Sequence, residues 1–97
     1  MAQFDVRRLG DGLVVDCQSD LLNHIDTRFV VPLASDEFAA IAVRRLNPAF
    51  EIAGKTYIMV TQQAASVPRI ELGEVVTSLA DRSFEITDAL DVLISGV

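Results

Sequence analysis

The sequence predicts a small, mainly β fold with one long C-terminal α-helix, and three observations carry that prediction. Short runs alternate apolar with polar residues, Gly and Pro punctuate those runs, and the last stretch switches to helical spacing. With 97 residues, 51% of them hydrophobic, the chain suits a single domain over residues 1–97 with one modest core. So high an apolar content in so short a chain also leaves surface that a second copy would cover.

The elements follow in order. "QFDVRRL" puts Phe4 and Val6 on one face of a strand, and Gly10 to Gly12 supply the turn. "LVVDCQ" resumes with Leu13, Val15 and Cys17 in phase, which makes a hairpin. "SDLLNHID" reads as a loop, because Ser, Asp and Asn bracket two leucines. In "TRFVVPL" the residues Phe29, Val31 and Leu33 face one way. Pro32 has no N–H to donate, so its side of the strand is an edge or the strand ends there. "SDEFAAIAVRRL", Ser35 to Leu46, reads as a short helix with acids in its first turn and arginines in its last. "AFEIAGKTYIMVTQQ" gives two strands about a tight turn at Ala53–Gly54. "ASVP" then turns the chain, "RIEL" is a further short strand, and Gly73 breaks it. Ser78 followed by Asp81 matches a capping box. Beyond it, Ile86, Ala89, Leu90, Leu93, Ile94 and Val97 form an apolar stripe opposite Thr87, Asp88, Asp91 and Ser95.

Charge and composition narrow the function classes. A net charge of −6 argues against a nucleic-acid groove, which needs clustered Lys and Arg to release counterions. The basic residues stand singly or in the pairs Arg7–Arg8 and Arg44–Arg45. No apolar run approaches the ~20 residues that span a bilayer, and "MAQFDVRRLG" lacks the apolar core of a signal peptide. Cys17 is the single cysteine, read as a small buried hydrophobe in a reducing cytoplasm. Neither a Gly-rich phosphate cradle nor Cys/His metal spacing calls for a cofactor or metal.

The tail is the unusual feature. Gly96 stands where a left-handed residue closes a helix, with Val97 after it, and the helix has no Lys or Arg beyond Arg82. Asp88, Asp91 and the terminal carboxylate therefore lie near the helix's negative end, each unfavourable by about 0.3–1 kcal/mol if exposed. A negative tip with small apolar residues suits a cationic, partly apolar partner.

Pieces running along nearly the whole chain carry a family resemblance. They are Gln3–Phe4, "VDCQSDLL" (Val15–Leu22), "RFVVPLAS" (Arg28–Ser35), "RLNPAFEIAGKTYIMVTQ" (Arg45–Gln62), "ASVP" (Ala65–Pro68), "LGEVVTSL" (Leu72–Leu79) and the terminal "LISGV". In this order and spacing the chain resembles the CcdB family of bacterial toxins, the gyrase poisons of type II toxin–antitoxin modules. The resemblance implies a small, partly open antiparallel barrel of SH3-like type with a C-terminal helix, paired as a homodimer. It implies binding to the A subunit of DNA gyrase, with the cleaved-DNA state trapped and no chemistry performed by the toxin. The implied gyrase-binding residues are Leu21, Leu22, Asp91, Ile94, Ser95, Gly96 and Val97.

The tail departs from the pattern of much-studied members, which end Trp-Gly-Ile. Gly96 is kept and Val97 loses one methylene, worth about 0.8 kcal/mol if buried. Ser95 replaces an aromatic whose cation–π attraction would be ~0.5–2 kcal/mol. Asp91 falls where the family pattern has Asn, placed for a charge-assisted bond to a gyrase arginine. Ile94 stands for a Phe. The resemblance further implies a CcdA-like antitoxin that folds on binding, and repression of the shared operon by the complex. Candidates for the antitoxin contact are Arg7, Arg8 and Asp11 on one loop and Arg44 and Arg45 on another.

Two alternatives stand beside this reading. MazF-like endoribonucleases share the superfamily, and His24 with Asp20, Asp26 and Arg28 is the cluster such chemistry would use; its other reading is a polar loop. A homologue that binds antitoxin without poisoning gyrase is the second, kept open by Ser95.

Overall fold

A computed structural model describes residues 1–35, 37 and 42–96. Among these residues seven strands, β1 (Asp5–Leu9), β2 (Gly12–Asp16), β3 (Thr27–Ser35), β4 (Ala49–Ile52), β5 (Lys55–Met59), β6 (Ala65–Pro68) and β7 (Val75–Ser78), precede helix α1 (Ser83–Ser95). The sheet is antiparallel in the order β4-β5-β3-β2-β1-β7, with β6 paired to β3 off that path. It is a mainly β half-barrel with one C-terminal helix, as expected.

Both predicted hairpins form, each through the backbone its turn residues permit. Leu9 pairs with Gly12 across a two-residue loop in which Gly10 alone takes a positive φ, 59°, the pattern of a type II′ turn. Ile52 pairs with Lys55 around Ala53 (φ 53°) and Gly54 (φ 80°), both left-handed as type I′ requires.

Strand β3 organises the sheet. One flank takes β2 (Leu13↔Leu33 to Asp16↔Val30), and the other takes β6 along Thr27–Val30 and β5 along Leu33–Ser35. Pro32 is therefore neither on an edge strand nor at a strand end. Its carbonyl accepts from Val60 N–H at 2.9 Å, beside the break where the chain leaves β5 and before it enters β6. The missing N–H faces that break, so no ladder bond is lost.

Alternation buries both sheet faces. Val6, Val15, Val31, Leu33, Phe50, Ile52 and Met59 form the main core with Leu79, Ile86 and Ala89. Val14, Val30 and Leu72 form a smaller cluster on the opposite face, backed by Leu9 and Val67. Phe29 shares the phase of Val31 and Leu33 but lies outside both clusters, 38% exposed. Phe4 is buried yet precedes β1, its φ of 70° held by backbone bonds to Asp16 and Leu79.

Four further expectations change. Of the helix expected over Ser35–Leu46, Ser35 ends β3 and Arg44–Leu46 form a turn; 36 and 38–41 lie outside the described residues. "ASVP" is strand β6: Pro68 is its last residue, where a missing N–H is harmless. "RIEL" begins instead with a 3-10 turn, Arg69–Glu71, because its carbonyls and amides close locally and Leu72 N–H donates to Arg69. The capping box does not form. The Ser78 hydroxyl accepts from Ala80 N–H at 3.2 Å to start a 3-10 turn, and among the described residues no side chain caps α1.

Candidate functional site

The end of α1 is built from the stripe that anchors its start. Ile86 and Ala89 are fully buried and Leu90 packs on the core, but Leu93 is 42% and Ile94 83% exposed. The stripe thus outruns the sheet it packs on. Gly96 (φ 77°) closes the helix, its N–H donating to the Val92 carbonyl at 2.8 Å. The Ser95 hydroxyl donates to the Asp91 carbonyl at 2.6 Å, so it is already satisfied within the helix. Asp91 is exposed, and its carboxylate has no bonding partner among the described residues. With no basic residue in the last turn, the tip combines a negative helix end, a carboxylate and an exposed isoleucine. Val97 lies outside the described residues.

Leu21 and Leu22 sit on a second element, the 3-10 turn Asp20–Leu22, 88% and 43% exposed. Ser19 caps the turn by accepting from Leu21 N–H at 3.2 Å. Asp20 Oδ1 accepts from Gln3 N–H at 2.8 Å. Gln18 Nε2 donates to the Leu22 carbonyl while its Oε1 accepts from Phe29 N–H, both at 2.9 Å. Beneath the turn, the fully buried Arg28 and Asp16 form a bidentate pair at 2.9 and 3.1 Å. Among the described residues no hydrogen bond or ion pair joins this turn to the α1 tip within the chain.

The antitoxin candidates fall in two places. Arg7, half-buried, Arg8, paired with Glu74 at 3.1 Å, and exposed Asp11 belong to the β1–β2 hairpin. Arg44 and Arg45 are exposed in the turn before β4. Arg45 takes a φ of 70° and reaches α1, its Nε and Nη2 donating to the Asp88 carboxylate at 3.0 and 2.7 Å. That hydrogen bond, with the charge behind it, holds Asp88 below its ordinary pKa and raises that of Arg45. A groove beside the pair is lined by Arg45, Pro48, Phe84, Glu85 and Asp88. Phe84, 83% exposed, escapes the sequence pattern; an aromatic off the helical stripe is the available signal. Ile70, 92% exposed after β6, is hidden by its expectation as a strand residue.

The rival catalytic cluster would have to work without a free Arg28. His24, Asp20 and Asp26 are exposed, whereas Arg28 is sealed in the core and committed to Asp16. Among the described residues no group of His, Cys, Asp and Glu is placed to hold a metal ion, and no helix is long and apolar enough to cross a membrane. Cys17 is buried, and desolvation, reinforced by the Asp16 charge, pushes its pKa up to about 12. Its thiol is inert at neutral pH.

The half-barrel, the helix and the glycine-closed tip thus stand together in one chain. The sequence matches the model of the CcdB protein family over residues 3–96, nearly its whole length, and the chain belongs to that family.

Proposed function

We propose that this protein poisons DNA gyrase, binding its A subunit through the α1 tip (Asp91, Ile94, Ser95, Gly96, Val97) and the Leu21–Leu22 turn. Membership of the CcdB family makes it a toxin of a toxin–antitoxin system; the gyrase target, the homodimer and the cytoplasmic site of action belong to this reading. The toxin acts by holding gyrase on cleaved DNA and catalyses nothing itself. A CcdA-like antitoxin neutralises it, contacting the Arg7–Asp11 and Arg44–Arg45 regions, and the pair represses its own operon with DNA contacts made by the antitoxin.

The observation that carries the reading is the exposure of Ile94 on a helix whose stripe is buried only at Ile86 and Ala89. Packing does not require an isoleucine there, and a partner with an apolar, cationic surface does. The test is gyrase-mediated cleavage of supercoiled plasmid by the intact protein and by a form lacking Gly96 and Val97. The intact protein accumulates linear DNA and the truncated one does not, while sedimentation gives the same dimer for both. Equal cleavage by the two forms overturns the tail as the site.

Ser95 favours one second reading, a homologue that binds antitoxin without poisoning. Its hydroxyl is turned inward onto the helix, so the tip lacks both an aromatic and a free donor at that position. Tight antitoxin binding with no plasmid cleavage at any toxin concentration would select this reading.

A further inference from the structure

Around the Leu21–Leu22 turn, two arginines, one in β3 and one in the 3-10 turn after β6, converge on the short loop that follows it. Arg28 spends Nε and Nη2 on buried Asp16 and extends Nη1 outward to Asn23 Oδ1 at 2.7 Å. Arg69, in the 3-10 turn after β6, directs Nη2 to the Asn23 and Ile25 carbonyls, the latter at 2.8 Å, and its backbone N–H donates to the Asp26 carbonyl at 2.8 Å. The loop's backbone is thus tied from both sides, while Leu21 and Ile25 stay 88% and 38% exposed. A loop that needed only to connect β2 to β3 has no use for two guanidinium anchors under exposed apolar side chains. Fixing such side chains before contact removes an ordering cost from binding.

We propose that Arg28 and Arg69, acting through Asn23, are positioning residues that hold the Asp20–Leu22 turn ready to dock on gyrase. This rests on the reading of that turn as part of the gyrase contact. Neither arginine touches the partner. Arg28 transmits the rigidity of the core pair to the Asn23 side chain, and Arg69 locks the backbone on the other flank. The ion pair with Asp16 keeps the Arg28 guanidinium plane fixed, so Nη1 presents one direction only.

The test uses the full-length protein with Asn23→Ala, Arg69→Met and the conservative Asn23→Asp, which retains an acceptor for Arg28. Hydrogen exchange is followed at the amides of Leu22, Asn23 and Ile25 and at core amides of Val15 and Val31, and affinity for the isolated gyrase protein carrying the contact, its A subunit, is measured in parallel. Expected for Asn23→Ala and Arg69→Met is turn exchange faster by about tenfold, the worth of a bond to a charged group. Core exchange stays unchanged, gyrase binding weakens by a similar factor, and Asn23→Asp restores both. Unchanged turn exchange overturns the anchoring, whatever the partner. Faster exchange with undiminished gyrase affinity overturns its link to docking. Failure of the parent protein, or indifference of Leu21→Ala, in the gyrase assay overturns the underlying reading and is visible without the anchor variants.

Discussion

Replacing Ile94 by alanine separates binding from folding. The side chain is 83% exposed, so in the folded protein the change removes almost no packing and also exchanges a β-branched residue for a better helix former. Stability in a urea melt should stay within about 0.5 kcal/mol of the parent, or rise slightly. If the side chain enters an apolar site on gyrase, three carbons leave that site on mutation. At about 0.8 kcal/mol per buried methylene the loss is ~2.4 kcal/mol, or about fifty-fold in affinity. Calorimetric titration against the purified A subunit of gyrase measures this directly, and plasmid cleavage should need correspondingly more toxin. Affinity within about threefold of the parent would refute the placement of Ile94 at the contact. A stability loss above about 1 kcal/mol would refute it differently, by placing the side chain inside a contact between two copies of the chain.

Other predictions test the scaffold. Arg28→Met strands the fully buried Asp16 carboxylate and should cost about 3–5 kcal/mol by urea denaturation; the double change Asp16→Leu/Arg28→Met should recover most of it. Ala53→Asn relieves a left-handed alanine at φ 53° and should stabilise by about 0.5–1 kcal/mol. Gly54→Ala, at φ 80°, should destabilise by about 1 kcal/mol, with the same melts deciding. Cys17 should resist iodoacetamide at pH 8 in the native protein and react once unfolded in urea. Because its pKa is raised from 9.0 to about 12, folding favours the neutral thiol. Its contribution to stability is complete below pH 9 and is lost as pH climbs from there towards 12, so an alkaline titration of the melting temperature should fall over that window.

What could be read from the sequence was what local chemistry decides. Gly10 and Ala53–Gly54 place the hairpins because few residues adopt a positive φ, and the Ile86–Leu90 stripe marks the helix because its spacing is self-contained. Where partners decide, the reading failed. "ASVP" contains turn-forming residues but becomes β6 because β3 has an unoccupied flank along Thr27–Val30. "VVTS" becomes β7 by pairing with β1, a partner some seventy positions away that no local pattern announces. At the candidate site the leucines and the tail were visible through family resemblance. The anchors were not. Asp16 and Arg28 look like ordinary surface charges until the fold brings them together in the core, and nothing near Arg69 in sequence points to Asn23.

The shared strand has a kinetic consequence. Because β3 needs β2 on one flank and both β5 and β6 on the other, neither the first third of the chain nor the remainder can complete a sheet alone. Contacts between distant segments must close before any part gains stability, which slows folding and makes it all-or-none. A chain emerging during synthesis should therefore stay unstructured, and harmless, until β6 is released to meet β3. Fragments split after β3 should be inert apart and regain the fold only when mixed.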